Sequence, residues 1–138
     1  MRRFRLFLRS NNRVKTERTE VQKEIIKKAK DIIPNRVKYY AVKMGVSYNR
    51  ISIRLQKTRW GSCSSKKNLN FNALLVLMPE RVMDSVIVHE LSHLKYMNHQ
   101  AEFWNNVYRY FPKEEYAKCR KYLSKEGTDM IRKYIINQ

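Results

Sequence analysis

The chain of 138 residues carries 30 Lys and Arg against 12 Asp and Glu, a formal charge of +18, with 43% hydrophobic and 12% aromatic residues. That is the content of one folded domain with a core of its own, which excludes a disordered chain. No apolar run nears the roughly 18 residues of a membrane span, and the basic start MRRFRLFLRSNN is interrupted by arginine, so no membrane contact or secretory leader is expected and a cytoplasmic location follows.

Residues 14–44 are predicted helical. Val21, Ile25, Ala29 and Ile32 fall at helical spacing, Thr16 or Thr19 is the N-cap, and Pro34 is expected to split the run into two helices, the second ending at Gly45. Ile51, Ile53 and Leu55 alternate with polar residues and predict a strand. After a turn at Gly61 and SCSSKKN, the run LNFNALLVLM reads as a second extended segment. Pro79 then opens a helix expected to reach Met97, followed by helices over AEFWNNVYRYF and KEEYAKCRKYLSKEG. The order predicts an α+β fold, a small antiparallel sheet packed on helices. A single domain is expected over 1–138, with a basic helical region over 1–45, a sheet and metal-site core over 46–112 and C-terminal helices over 113–138. The two cysteines, Cys63 and Cys119, are far apart and are expected as free thiols.

Charge and histidine are both unevenly placed. Residues 1–45 hold 14 basic against 4 acidic residues, whereas 89–138 hold 9 against 6. A basic surplus of this kind suits a polyanion, so DNA or RNA contact through the N-terminal half is expected. All three histidines lie in IVHELSHLKYMNH. On a helix, His89 and His93 share one face and can close on a single zinc ion, and Glu90 can hold and deprotonate a metal-bound water. The wheel sets the histidines beside Val82 and Val86, places Glu90 between that stripe and a second apolar arc, and leaves Arg81, Asp84, Ser85 and Ser92 on the remaining face. His99 is the favoured third ligand, reached by a turn that could use Asn98 at positive φ; Glu102 and Glu114 are its rivals. Three ligands and one open position make a catalytic site binding one zinc per chain.

The runs TRWGSCSSKKNLNFN and LLVLMPERVMDSVIVHELSHLKYMNHQAEFW resemble the YgjP-like metallopeptidases, and more distantly the SprT and WLM (Wss-type) zinc proteases. The resemblance spans roughly residues 15–125. It implies a zincin-like fold with zinc on His89, His93 and His99, and Glu90 as catalytic acid/base. Fuller members of the family carry a β-rich N-terminal region that is not expected in this chain, and Tyr96 stands where the metzincins have glycine.

A soluble zinc metallopeptidase acting on protein or peptide is therefore expected, with LNFNALL as the sheet edge that pairs with substrate. Arg59 and Asn72 are candidate substrate-binding residues. Two alternatives stay open: a nucleotide or phosphoanhydride hydrolase, which would need basic residues such as Arg59, Lys66 and Lys67 around the metal, and a nucleic-acid-binding module with structural zinc.

Overall fold

The computed structural model describes residues 17–138. Arg2, Arg3 and the other basic residues of 1–16, with the expected helix start at 14–16, lie outside them. A single helix, α1 (Glu20–Met44), opens the fold. Thr19 is its N-cap: the Thr19 hydroxyl accepts from the Gln22 amide, while the Gln22 side chain accepts from the Thr19 amide. Gly45 ends it at φ 67, a left-handed cap that glycine adopts without a Cβ clash.

Pro34 does not split α1, contrary to the sequence expectation. An interior proline costs about 3 kcal/mol. Burying Ile33 and Val37 completely contributes roughly 1.5–3 kcal/mol each and offsets that cost. Val21 falls outside the buried stripe and is exposed.

Three strands follow: β1 (Arg50–Arg54), β2 (Gly61–Cys63) and β3 (Asn68–Asn72). The sheet order is β1-β3-β2. β2 pairs antiparallel with β3, but β1 pairs with it parallel, so the sheet is mixed rather than antiparallel. The apolar run after β3 does not continue as strand. Asn72 accepts a hydrogen bond from the Leu74 amide at 3.0 Å and winds Ala73–Leu77 into a 3₁₀ turn.

Helix α2 (Glu80–Ser92) follows with Pro79 as N-cap. Then come α3 (Ala101–Tyr110), α4 (Lys113–Tyr122) and α5 (Thr128–Ile131), the last two joined and extended by π-type turns at Leu123–Gly127 and Arg132–Ile136. One cluster of buried side chains runs from Ile25 of α1 through Phe71, Ile87 and Phe103 to Ile131.

α2 is buried nearly all round. Asp84, Ser85 and Ser92, expected on its open face, are buried because each has a partner. Ser85 donates to the Val82 carbonyl, and Ser92 accepts from Asn106 of α3. Asp84, 1% exposed, accepts from Arg36 at 3.1 and 2.7 Å and from the Tyr40 hydroxyl at 3.0 Å. Arg81 lies 3.5 Å from the same carboxylate and makes a two-pronged pair with Glu115 of α4 at 2.7 and 2.8 Å. Removing one partner of a buried ion pair leaves the others desolvated without compensation. Asp84→Ala is therefore expected to lower stability by about 3 kcal/mol or more, read as a fall in the urea midpoint.

Candidate metal centre

His89 sits in the last turn of α2 and His93 caps it, so the four-residue spacing aims both rings the same way. The helix stops at Ser92, short of Met97, because its carbonyls turn to tight closing bonds: the amides of Lys95 and Tyr96 both reach the Ser92 carbonyl. This turn brings the Tyr96 carbonyl to 3.0 Å from His93 Nδ1 and returns His99 to the cluster. Asn98 does not use positive φ; among the described residues Lys67, at φ 65, is the non-glycine that does.

The three Nε2 atoms converge. His99 Nε2 lies 3.1 Å from that of His93 and 3.3 Å from that of His89. Among the described residues these histidines form the one group of three donors able to hold a metal ion; Glu102 and Glu114 do not join it. A carbonyl only accepts, so His93 Nδ1 carries the ring proton and its Nε2 is a bare lone pair. Burial lowers the pKa of His93, and lowers His89 to about 3 with help from His93, Arg120 and His99, so both rings are neutral near pH 7. Lone pairs crowded at such distances repel unless a cation lies between them. Nitrogen donors on one tetrahedral zinc, at about 2.0–2.1 Å from the ion, lie about 3.3 Å apart. The residues fit.

Aromatic rings wall the cluster. Phe103 stacks on His93 with centroids 4.4 Å apart, and Trp104 lies against His99 at 5.8 Å. Tyr116 of α4 places its hydroxyl 2.8 Å from His89 Nδ1. The sequence analysis assigns Tyr116 no role; its one signal in the sequence is its i, i+4 relation to Arg120 on the helix over KEEYAKCRKYLSKEG.

Glu90 is buried, and no protein group among the described residues hydrogen-bonds its carboxylate. It lines both hollows that meet at the histidines. The larger, about 620 Å³, is walled by Arg59, Trp60, Trp104, Tyr116 and Arg120; the smaller by Ser62, Cys63, His93 and Met97. Gly61 separates β2 from α2, since a Cβ there would lie 3.0 Å from Glu90 Cγ and 3.1 Å from Val86 Cγ1. Cys63 is pushed up to about 11 by burial and then by Glu90, which keeps the thiol protonated.

Arg59 reaches the site, and Asn72 does not. Asn72 is 0% exposed, donating to the carbonyls of Gln56 and Arg59 at 2.8 and 2.9 Å while capping the 3₁₀ turn, so no atom is left for substrate. It holds the loop that presents Arg59. LNFNALL is likewise displaced as the pairing edge: β3 is the central strand, and β2, from the RWGSC segment, is the edge beside the histidines.

Residues 3–126 match the YgjP-like, metallopeptidase domain. The chain belongs to the YgjP-like metallopeptidase family. Among solved structures it is similar to the metallopeptidase zymogen jannalysin of Methanocaldococcus jannaschii, 27% identical with a TM-score of 0.62, covering 68% of this chain and 95% of that one. The metallopeptidase zymogen abylysin of Pyrococcus abyssi is 21% identical with a TM-score of 0.60, covering 69% of this chain and 96% of its own. A comparison with curated proteins found no match. The fold is zincin-like. Membership of this family implies a metal-dependent hydrolase, zinc being its usual ion, and the histidine cluster could hold it.

Burial raises Glu90 from 4.5 to about 7, against the pull of Arg120 and then Arg59. In the metal-free protein its ionised form is thus penalised on folding: the penalty is absent below about pH 4.5, grows as pH rises towards 7, and is full above that. Glu90→Gln is expected to raise the melting temperature of metal-free protein at pH 8 by roughly 5 °C and to leave it unchanged at pH 4. Equal shifts at both pH values in thermal melts would remove burial of charge as the cause.

Proposed function

We propose that this YgjP-like protein is a zinc metallopeptidase that cleaves extended protein segments laid along the free edge of β2. The observation that supports this most is the convergence of three Nε2 atoms beside a carboxylate that no hydrogen bond among the described residues engages. Three donors, with no fourth among the described residues, suit a site that keeps one position open, and this favours catalysis over structural zinc.

Zinc bound there would supply Lewis-acid polarisation of the scissile carbonyl and an acidified water. The chain's own groups do the rest. Glu90, nearly poised at neutral pH by burial, takes the proton from the attacking water and returns it to the leaving amine. His93 donates Nδ1–H to the Tyr96 carbonyl. With Nε2 of His89 turned to a metal, its Nδ1–H would donate to the Tyr116 hydroxyl 2.8 Å away, so both rings would be held by a second group while Nε2 serves the ion. Trp104 and Phe103 shut water from one side of the cluster. β2 offers unpaired backbone groups to an extended chain, with Gly61 and Cys63 opening on the two hollows.

A second reading, hydrolysis of a phosphoanhydride, gains support from Arg59 and Arg120 in the larger hollow. Lys66 and Lys67, which that reading called for, line neither hollow at the cluster. Nucleic-acid association is a separate element of the proposal, resting on charge: Lys27, Lys28 and Lys30 are exposed on α1. Among the described residues no helix is long and apolar enough to cross a membrane.

Elemental analysis and peptide-cleavage assays test the assignment together. His99→Ala should lose zinc with its helical circular dichroism kept. Glu90→Gln should keep zinc and lose about 10² to 10⁴ in cleavage rate. Phosphate release from a nucleoside triphosphate, lost in Glu90→Gln while peptides stay intact, would turn the assignment to the second reading. Tyr116→Phe should weaken zinc binding by about 10- to 100-fold, the usual effect of removing a group that orients a ligand, read by competition with a chelating dye.

A further inference from the structure

The larger hollow has an unusual electrostatic make-up. Arg59 enters it from the loop before β2, and Arg120 from α4, one turn beyond Tyr116. Neither guanidinium has an ion pair or a side-chain hydrogen bond among the described residues. Every Asp and Glu of the chain lies within those residues, since 1–16 contain none. The structure treats its framework arginines differently: Arg36 and Arg81 are each held by carboxylates. Glu90 is the one carboxylate in the hollow, and it faces the histidine cluster. Two guanidiniums against one carboxylate leave the hollow cationic, and a bound metal would make it more so.

Building on the peptidase reading, we propose that this hollow is a subsite for a peptide carboxylate held by Arg120 and Arg59, so that the enzyme selects substrates with an acidic group beside the cleaved bond. The guanidinium fork matches a carboxylate in two parallel hydrogen bonds. Trp60 and Trp104 flank the site with apolar surface, and lower local polarity strengthens such charge-assisted bonds. A nucleoside triphosphate carries more negative charge than the two arginines alone offset, and Lys66 and Lys67 are not in the hollow to meet it. Arg59 and Gly61 border both hollows, whereas Arg120 lines the larger one and Cys63 and Met97 line the smaller, so a chain paired along β2 meets both guanidiniums towards the larger hollow and Met97 and the protonated Cys63 towards the other. The carboxylate can be an Asp or Glu side chain or the C-terminus of the peptide.

Binding is read without turnover in full-length, zinc-loaded Glu90→Gln protein, from the emission of Trp60 and Trp104. One unstructured peptide is used in three forms: internal Glu with an amidated end, Gln with an amidated end, and Gln with a free end. At least one carboxylate form should bind about tenfold or more tightly than the neutral form, as charge-assisted bonds would give. Adding Arg120→Gln or Arg59→Gln should bring that ratio below about threefold. Tighter binding of the Glu form assigns the subsite to a side chain, and of the free-end form to a C-terminus. Equal binding of all forms, or a ratio untouched by both arginine substitutions, overturns the subsite. Cleavage of the neutral peptide by wild type alongside equal binding overturns the subsite and leaves the peptidase reading standing. A carboxylate preference with no peptide cleaved supports the subsite and overturns the peptidase reading.

Discussion

The buried carboxylate of Asp84 is the constraint on which the geometry of the site depends. It sits on α2, takes Arg36 and Tyr40 from α1, and draws in Arg81, which in turn grips Glu115 of α4. Glu115 directly precedes Tyr116. The same electrostatic knot that packs three helices therefore sets the height and rotation of α4 at the point where Tyr116 meets His89. An ion pair of this kind adds little net stability over apolar packing, but it penalises wrong registers heavily because any slip leaves a charge alone in the core. That is a suitable property for helices whose mutual placement decides a nitrogen-to-oxygen distance.

Around that frame, the metal centre is assembled from short-range necessities. The i, i+4 spacing of His89 and His93 is fixed by helical pitch. The termination of α2 supplies the Tyr96 carbonyl that settles the tautomer of His93. Gly61 lets the edge strand approach so closely that Glu90 lies between strand and histidines. Aromatic packing from α3 helps bury His89 and His93, and the low proton affinity of those two rings follows from that burial. Each element that stabilises the fold here also prepares a lone pair or a carboxylate for the metal.

The histidine cluster, the α+β order and the caps at Thr19 and Gly45 were legible in the sequence because each depends on neighbours a few residues away. Pro34 misled because a local penalty lost to burial of a long stripe around Ile33 and Val37. The edge strand was misplaced for a different reason. Alternation in LNFN shows that the segment is a strand, but only the parallel pairing to β1 puts it in the middle of the sheet. Asn72 looked available for substrate, yet its three hydrogen bonds join residues up to 16 positions apart. Asp84 read as a solvated residue since its partners lie 44 and 48 positions away. Tyr116 and Arg120 went unassigned because nothing local says which face of α4 turns to the histidines.

Gly127 lies in the first π-type turn after α4, and a methyl group there would come within 2.6 Å of the Trp60 ring. The indole that walls the larger hollow is thus seated in a notch cut from a distant helix. A larger side chain at that one position would force the ring or the turn to shift, and the ring is a wall of the larger hollow. The width of the larger hollow is therefore set in part from Gly127 in the C-terminal helical segment, more than 25 positions in sequence from the three histidines.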